Sequence, residues 1–140
     1  MTFQESIKTC FNKYADFNER ANRSEFWWFL LFLMTAYLAL QYIPLHLSTI
    51  FSFAVMMPTF AVTTRRLHDI NKSGWFLVIG LIWWTVGLVV VVYGFLPLLN
   101  SVPWWIFSGS LILLACAVVG IYLLAKPSDA TSNQYGAPIN

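Results

Sequence analysis

The densest group of side chains that could do chemistry is the run Arg65-Arg66-Leu67-His68-Asp69. If a helix continues through it, Asp69 lies one turn after Arg65 and Arg66, so its carboxylate can pair with either guanidinium. Arginine also suits the end of a helix, because the helix dipole favours positive charge there. Its fork of donors matches a carboxylate or a phosphate. The run therefore predicts an internal ion-pair anchor or a binding site for an anionic group.

A second charged pair, Arg23 and Glu25, stands just before a long apolar stretch and is expected at the same depth. The predicted binding site, named the charged cluster below, comprises Arg23, Glu25, Arg65, Arg66, His68 and Asp69. Three interpretations are open: an anchor that pairs internally and fixes topology, a site for a lipid headgroup or protein partner, and a catalytic site. The last is least favoured, because His68 and Asp69 diverge on a helix and no Ser or Cys nucleophile is evident. We predict no catalytic residue and a non-enzymatic protein.

Two long stretches, residues 26–64 and 73–125, contain no Asp, Glu, Lys or Arg. Because one helical crossing of a bilayer needs about 20 apolar residues, each stretch predicts two crossings. The predicted fold class is all-α: one integral membrane domain with four transmembrane helices arranged as two antiparallel hairpins. The predicted spans are 26–43, 45–64, 75–96 and 103–125, preceded by the segment 1–25 and followed by the tail 126–140. The polar tail is expected to be loosely ordered.

The positive charges set the expected orientation. All eight Lys and Arg residues lie outside the two uncharged stretches, on one side of the predicted topology. By the positive-inside rule this side is cytoplasmic, so both termini are expected in the cytoplasm.

Residues 3–17 carry apolar side chains at helical spacing: Phe3, Ile7, Cys10, Phe11 and Tyr14. This pattern predicts an amphipathic helix on the cytoplasmic leaflet, with its lysines near anionic headgroups. A short helix packed on the central loop is the alternative. Further on, Asn22-x-x-Glu25 predicts a capping box at the start of the first span.

Small residues recur along the third and fourth spans and predict close helix packing. They are Gly80, Gly87 and Gly94 on the third span, and Gly109, Cys116 and Gly120 on the fourth. A ligand groove is the less favoured interpretation, and a homodimer contact stays open beside packing within the bundle. Trp83 and Trp84 lie about 12 Å along the helix from Trp75, so one of them is expected inside the bundle.

The sequence lacks several patterns that carry chemistry elsewhere. No ionisable group falls within the predicted bilayer, which disfavours a proton-coupled transporter. No cofactor, metal or nucleic-acid pattern is evident, so none of these is expected. The expected partners are the lipid bilayer with anionic headgroups, a second copy of the chain, or another membrane protein. The favoured function is headgroup or partner binding by the charged cluster, and the alternative is an oligomeric small transporter or channel component.

Four segments of the chain are similar to a known family. They are Arg20–Phe29, Arg65–Asp69, Lys72–Trp75 and Asn133–Pro138. They resemble the domain of unknown function 805 family of small bacterial inner-membrane proteins. The chain departs from that family at Glu19, where Gly is usual, and at Gln134, where Arg is usual. The resemblance implies an inner-membrane location and no particular activity.

Overall fold

The computed structural model describes residues 1–42, 47–95 and 104–138. It contains five helices: α1 (Phe3–Asn12), α2 (Arg23–Leu40), α3 (Leu47–Asp69), α4 (Trp75–Phe95) and α5 (Trp104–Ala125). Among these residues the β-type pairing consists of an isolated bridge between Asn133 and Gly136. The architecture is therefore all-α, as predicted. Both expected hairpin turns, at 44–46 and 97–103, fall outside the described residues.

Three helices of the described chain are long and apolar enough to cross a membrane. They are Leu47–Asp69, Trp75–Val92 within α4, and Phe107–Ala125 within α5. Helix α2, where the first crossing was predicted, carries Arg23 and Glu25 in its first turn, which lowers its apolar character. Helix α3 extends to Asp69, beyond the predicted boundary at residue 64, so the charged run from Arg65 is helical.

The chain divides into two compact units. The first comprises Met1–Ser73 together with the C-terminal segment from Pro127, and the second comprises Gly74–Lys126. The first unit therefore contains α1, α2, α3 and the end of the chain, and the second contains α4 and α5. We use "the tail" below for residues 127–138.

Helix α1 begins with a complete capping box. The Thr2 hydroxyl accepts from the Glu5 amide, and the Glu5 carboxylate accepts from the Thr2 amide. Sequence reasoning placed such a box at Asn22 and missed this one. A satisfied N-terminus accounts for the early start of this ten-residue helix.

Helix α1 packs against α2 and α3 in the first unit. It buries Ser6 and Cys10 completely, whereas Phe3 and Phe11 on its apolar stripe stay 37% and 38% exposed. Those two rings make edge contacts with α2, such as the 5.9 Å centroid distance between Phe3 and Trp28. The face buried in the protein is thus the small-residue face, and the interfacial position of α1 stays a prediction.

Pro58 lies inside α3, and its position explains a contact from the N-terminal segment. A proline has no amide hydrogen, so the carbonyl four residues earlier, that of Ala54, loses its helical partner. The Tyr14 hydroxyl donates to this carbonyl at 2.8 Å. Tyr14 therefore supplies the hydrogen-bond donor that Pro58 removes from α3.

We expect Tyr14→Phe to lower the free energy of unfolding by about 1 kcal/mol, because it leaves the Ala54 carbonyl without its donor. In a Pro58→Ala background, where the helix supplies its own amide, the same change should cost clearly less. The measurement is a double-mutant cycle by reversible unfolding in detergent. Equal costs in the two backgrounds would contradict the assignment.

In the second unit, α4 and α5 pack where two of the predicted glycines meet. A Cβ on Gly109 would lie 2.8 Å from the Gly87 carbonyl oxygen and 3.0 Å from the Val91 amide nitrogen. A Cβ on Gly87 would approach the Leu113 side chain to 3.0 Å. Close helix approach therefore depends on Gly87 and Gly109, as expected for small residues in helix contacts.

The other small residues predicted along these helices do not mediate close packing of α4 on α5. A Cβ on Gly80 or Gly120 would meet no atom within 4 Å, and both positions line an apolar groove with Cys116 and Trp83. The side-chain surroundings of Gly94 are outside the described residues. Trp83 and Trp84 remain 53% and 45% exposed, so the packing of α4 on α5 buries neither ring, and the expectation that one packs inside a bundle stays a prediction.

Gly109→Ala is expected to lower the free energy of unfolding of the second unit by about 1–3 kcal/mol, because its methyl group meets backbone atoms that do not yield. Gly120→Ala is the matched control, since its methyl group enters open space. Unfolding of each variant in detergent micelles compares them. Similar losses for both substitutions would show that Gly109 is not a packing position.

Candidate functional site

The site lies at the C-terminal end of α3. Arg65, Arg66 and Asp69 are each 0% exposed there, which is rare for charged residues without partners. The helix ends because Asn71 adopts a left-handed conformation, with φ 55°, that asparagine tolerates. The Asn71 amide then donates to the His68 carbonyl at 3.0 Å.

One carboxylate in this site bridges two guanidinium groups. Asp69 Oδ1 lies 3.0 Å from Arg20 Nε and 2.9 Å from Arg20 Nη2, and Oδ2 pairs with Arg66 Nη1. The one-turn pairing of Arg66 with Asp69 is the one that sequence spacing allowed. Arg20, 2% exposed, was not among the predicted site residues.

Arg65 pairs with a different carboxylate. Its Nη1 lies 2.7 Å from Glu25 Oε1, so the two side chains form a close ion pair. The N–H groups of Nη1 do not point at this oxygen, and the contact therefore does not meet hydrogen-bond geometry. Its Nε and Nη2 make no hydrogen bond within the described residues. The Ala21 amide donates to the Arg65 carbonyl at 3.0 Å, which ties the start of α2 to the end of α3.

The predicted capping box at Asn22 is only half formed. The Asn22 side chain accepts from the Glu25 amide at 2.8 Å, as a cap should. The Glu25 carboxylate faces Arg65 instead of reaching back to the Asn22 amide. Pairing a buried guanidinium takes precedence over a second capping bond, because an unpaired buried charge costs more than an unpaired amide.

Helix α1 closes the other side of Glu25. The Ser6 hydroxyl donates to the Glu25 carbonyl at 2.6 Å, and Cys10 Sγ lies 3.9 Å from Glu25 Oε1. Burial raises the pKa of the Glu25 carboxyl above its ordinary value, and the positive charge of Arg65 opposes that shift. Burial and then the Glu25 charge raise the pKa of the Cys10 thiol to about 12.

We expect native Cys10 to resist alkylation by N-ethylmaleimide up to about pH 10, because a thiol whose pKa is raised to about 12 stays neutral there. The stabilising contribution of this raised pKa is complete below the ordinary value of 9.0 and is lost as pH rises through about 12. Cys116→Ser removes the second thiol, so that modification followed by mass spectrometry reports on Cys10. Alkylation of folded protein that rises through pH 8–9 would contradict this environment.

The tail binds to Arg20 through its backbone. Arg20 Nη2 donates to the Asp129 carbonyl at 2.7 Å, and Nη1 donates to the carbonyls of Thr131 and Gly136 at 3.1 and 3.3 Å. One guanidinium thus holds three tail carbonyl oxygens in addition to the Asp69 carboxylate. The hydrogen bond from Arg20 to the Asp129 carbonyl links two residues that are 109 positions apart in the chain.

The tail also caps the end of α3. The Asp129 amide donates to the Asp69 carbonyl at 3.1 Å, and Asn133 Nδ2 donates to the His68 carbonyl at 2.9 Å. The Tyr135 ring stacks on His68 with centroids 3.7 Å apart and an interplanar angle of 2°. The expectation of a loosely ordered tail is therefore wrong, because the tail supplies donors that the last turn of a helix lacks.

The structure gathers five of the six charged-cluster residues: Glu25, Arg65, Arg66, His68 and Asp69. Arg23 is exposed at the start of α2. Arg20, Cys10 and the tail residues were missed, although Arg20 opens the first segment that carries the family resemblance. Within the described residues, no group of His, Cys, Asp and Glu side chains is arranged to hold a metal ion.

Spanning-length apolar helices, with a buried ion-pair network at the end of one of them, define a helical membrane protein. The model of the family described as "Protein of unknown function (DUF805)" matches residues 14–137, and the chain belongs to this family. The resemblance inferred from the four sequence segments is thereby confirmed.

Two curated relatives are inner membrane proteins of Escherichia coli (strain K12). The chain is 34% identical over 91 residues to inner membrane protein YhaH, which covers 57% of this chain and 75% of that protein. It is 35% identical over 86 residues to inner membrane protein YhaI, which covers 54% and 73%. No solved structure matches the chain.

Proposed function

We propose that this protein is a non-enzymatic inner-membrane protein that binds the phosphate of anionic lipid headgroups at the end of α3. We further propose four crossings, formed by α2, α3, α4 and α5, with both termini in the cytoplasm. The contacts in the first unit support the topology, and the buried, unsatisfied donors of Arg65 support the binding.

Contacts within the first unit support an even number of crossings on each side of Asp69. Arg20 contacts both Asp69 and the Asp129 carbonyl, so these three residues share one side of the membrane. The chain between residues 20 and 69 must then cross an even number of times. If α3 crosses, α2 crosses with it despite its charged first turn. The same parity holds for α4 and α5.

The orientation rests on the positive charges. All eight Lys and Arg residues lie outside the uncharged stretches, and the positive-inside rule assigns their side to the cytoplasm. An alkaline phosphatase fusion after Lys126 should be inactive. An active fusion would reverse the proposed orientation.

One observation carries the binding proposal: the buried guanidinium group of Arg65 has donors that no acceptor among the described residues satisfies. Arg65 is 0% exposed, and its Nε and Nη2 make no hydrogen bond within the described residues although Glu25 pairs with its charge. A buried donor without an acceptor is costly, and the oxygens of a phosphate monoanion are natural acceptors for a guanidinium. The end of a spanning helix is also the depth at which headgroup phosphates lie.

The test is native mass spectrometry of the full chain taken from nanodiscs of phosphatidylcholine mixed with phosphatidylglycerol. We expect retention of phosphatidylglycerol over phosphatidylcholine. Arg23→Gln, at the exposed edge of the site, should reduce that preference, whereas Lys8→Gln on the exposed face of α1 removes the same charge and should not. Equal retention of both lipids by the unaltered chain would overturn the proposal.

A further inference from the structure

We infer that helix α1 is a lid over Arg65, and that an anionic phosphate binds the Nε and Nη2 donors of Arg65 when α1 lifts. The inference rests on the proposed function and gives its site a binding residue and a gate. The ligand is an anionic phosphate group, either in a lipid headgroup or free in solution.

The guanidinium group of Arg65 has one side engaged and one edge without an acceptor among the described residues. Its Nη1 faces Glu25 Oε1 at 2.7 Å, whereas Nε and Nη2 make no hydrogen bond within that part of the chain. Nε and Nη2 form the edge of a guanidinium that binds an oxyanion side-on, and in Arg20 the same edge binds Asp69 Oδ1. Phosphate oxygens therefore fit the donors of Arg65 that Glu25 leaves unused.

Helix α1 lies beside this guanidinium group. The Ser6 hydroxyl donates to the Glu25 carbonyl at 2.6 Å, and Cys10 Sγ lies 3.9 Å from Glu25 Oε1. Burial and then the Glu25 charge raise the pKa of the Cys10 thiol, and the nearby positive charge of Arg65 opposes that rise. Because Arg65 is 0% exposed, a ligand must displace a covering segment to reach it, and α1 is such a segment.

The contacts of α1 allow it to lift. The side chains that it buries completely are the small ones of Ser6 and Cys10, and the larger rings of Phe3 and Phe11 stay 37% and 38% exposed. Segments with few buried apolar contacts open at low free energy. The apolar stripe of a lifted α1 can enter the membrane interface, which offsets the edge contacts that the two rings give up on α2.

Alkylation of Cys10 by N-ethylmaleimide reports on the lid, because Cys10 lies on the face of α1 that the closed lid buries. The full chain carrying Cys116→Ser is compared in nanodiscs of phosphatidylcholine, the same discs with inorganic phosphate, and discs of phosphatidylcholine mixed with phosphatidylglycerol. A ligand that binds only the open state raises its population, so we expect the alkylation rate to rise about tenfold with phosphatidylglycerol. A rise with inorganic phosphate alone would support the site and identify free phosphate as its ligand. An unchanged rate in both arms would overturn the inference.

Attraction of the α1 lysines to an anionic surface is a competing cause of faster alkylation. Lys8→Gln removes an exposed positive charge from α1 and leaves Arg65 in place. The rise with phosphatidylglycerol should persist in this variant. Its loss there would show that surface charge lifts α1, and the inference would fail.

A pair of α1 variants separates this inference from the proposed function. Ser6→Ala removes the hydrogen bond to the Glu25 carbonyl and should raise the alkylation rate in phosphatidylcholine about fivefold, together with phosphatidylglycerol retention. Gln4→Ala on the exposed face of α1 should change neither. If Ser6→Ala speeds alkylation without raising retention, α1 does not gate the site, and the inference fails while headgroup binding stands. If the unaltered chain retains both lipids equally while inorganic phosphate speeds alkylation, headgroup binding fails and the lid stands.

Discussion

Replacing Asp69 with alanine is expected to lower the free energy of unfolding by about 3–5 kcal/mol, the typical cost of removing one partner from a buried ion pair. The physical reason is that Asp69 serves both Arg20 and Arg66, each of which is at most 2% exposed. Without the carboxylate, two guanidinium groups remain buried with one fewer counter-charge. Unfolding of the detergent-solubilised chain, followed by tryptophan fluorescence, measures the change.

Asp129→Ala is the matched control for that substitution. It removes the same charge from the same site, but Asp129 contributes its backbone amide and carbonyl to the contacts, and a substitution preserves those. We expect a change below about 1 kcal/mol. If the two alanine variants unfolded alike, Asp69 would not be the bridging carboxylate of the site.

The second large effect is expected at Glu25. Glu25→Ala leaves Arg65, which is 0% exposed, without the carboxylate 2.7 Å from its Nη1. We expect a loss of about 3–5 kcal/mol in the free energy of unfolding, because Arg65 is then a buried charge without a partner. Chemical unfolding in the same detergent measures it.

Two further variants test whether the buried charge causes this loss of stability. Glu19→Ala breaks the Lys13–Glu19 ion pair, whose side chains are 37% and 50% exposed, and should cost less than about 1 kcal/mol. Glu25→Leu combined with Arg65→Met replaces the buried pair by apolar groups and should recover much of the loss. A double variant as unstable as Glu25→Ala alone would show that packing, and not the charge, sets the cost.

These expected costs shape how the proposed function can be examined. The residues that fit an anionic phosphate also hold α1, α2, α3 and the tail together, so their removal destabilises the protein as well as the site. Exposed positions such as Arg23 let binding be perturbed while the ion pairs stay in place. The structure thus directs binding experiments toward the edge of the site.

The N-terminal segment that contains α1 is joined to the same network of contacts. Ser6 and Cys10 pack against Glu25, and Tyr14 reaches the carbonyl that Pro58 leaves open in α3. The N-terminal segment therefore contributes to the stability of the first unit through its small and polar side chains. Its aromatic residues Phe3, Phe11 and Tyr14 remain partly exposed.

The sequence by itself determined the features that depend on neighbouring residues. Uncharged stretches of spanning length predict apolar helices, Asn22 predicts the start of α2, and the one-turn spacing predicts the pairing of Arg66 with Asp69. Four short segments were enough to indicate the family. Hydropathy, capping and one-turn pairing act over a few residues, so a linear pattern contains them.

Only the tertiary structure decided which distant groups meet. Arg20 reaches Asp69 across 49 positions and the Asp129 carbonyl across 109, and Arg65 pairs with Glu25 instead of the Asp69 on its own helix. The tail is ordered because the last turn of α3 and the Arg20 guanidinium offer hydrogen-bonding groups to it at one place. Which ion pairs form depends on which segments pack against each other, because a buried charge pairs with the group that packing places beside it.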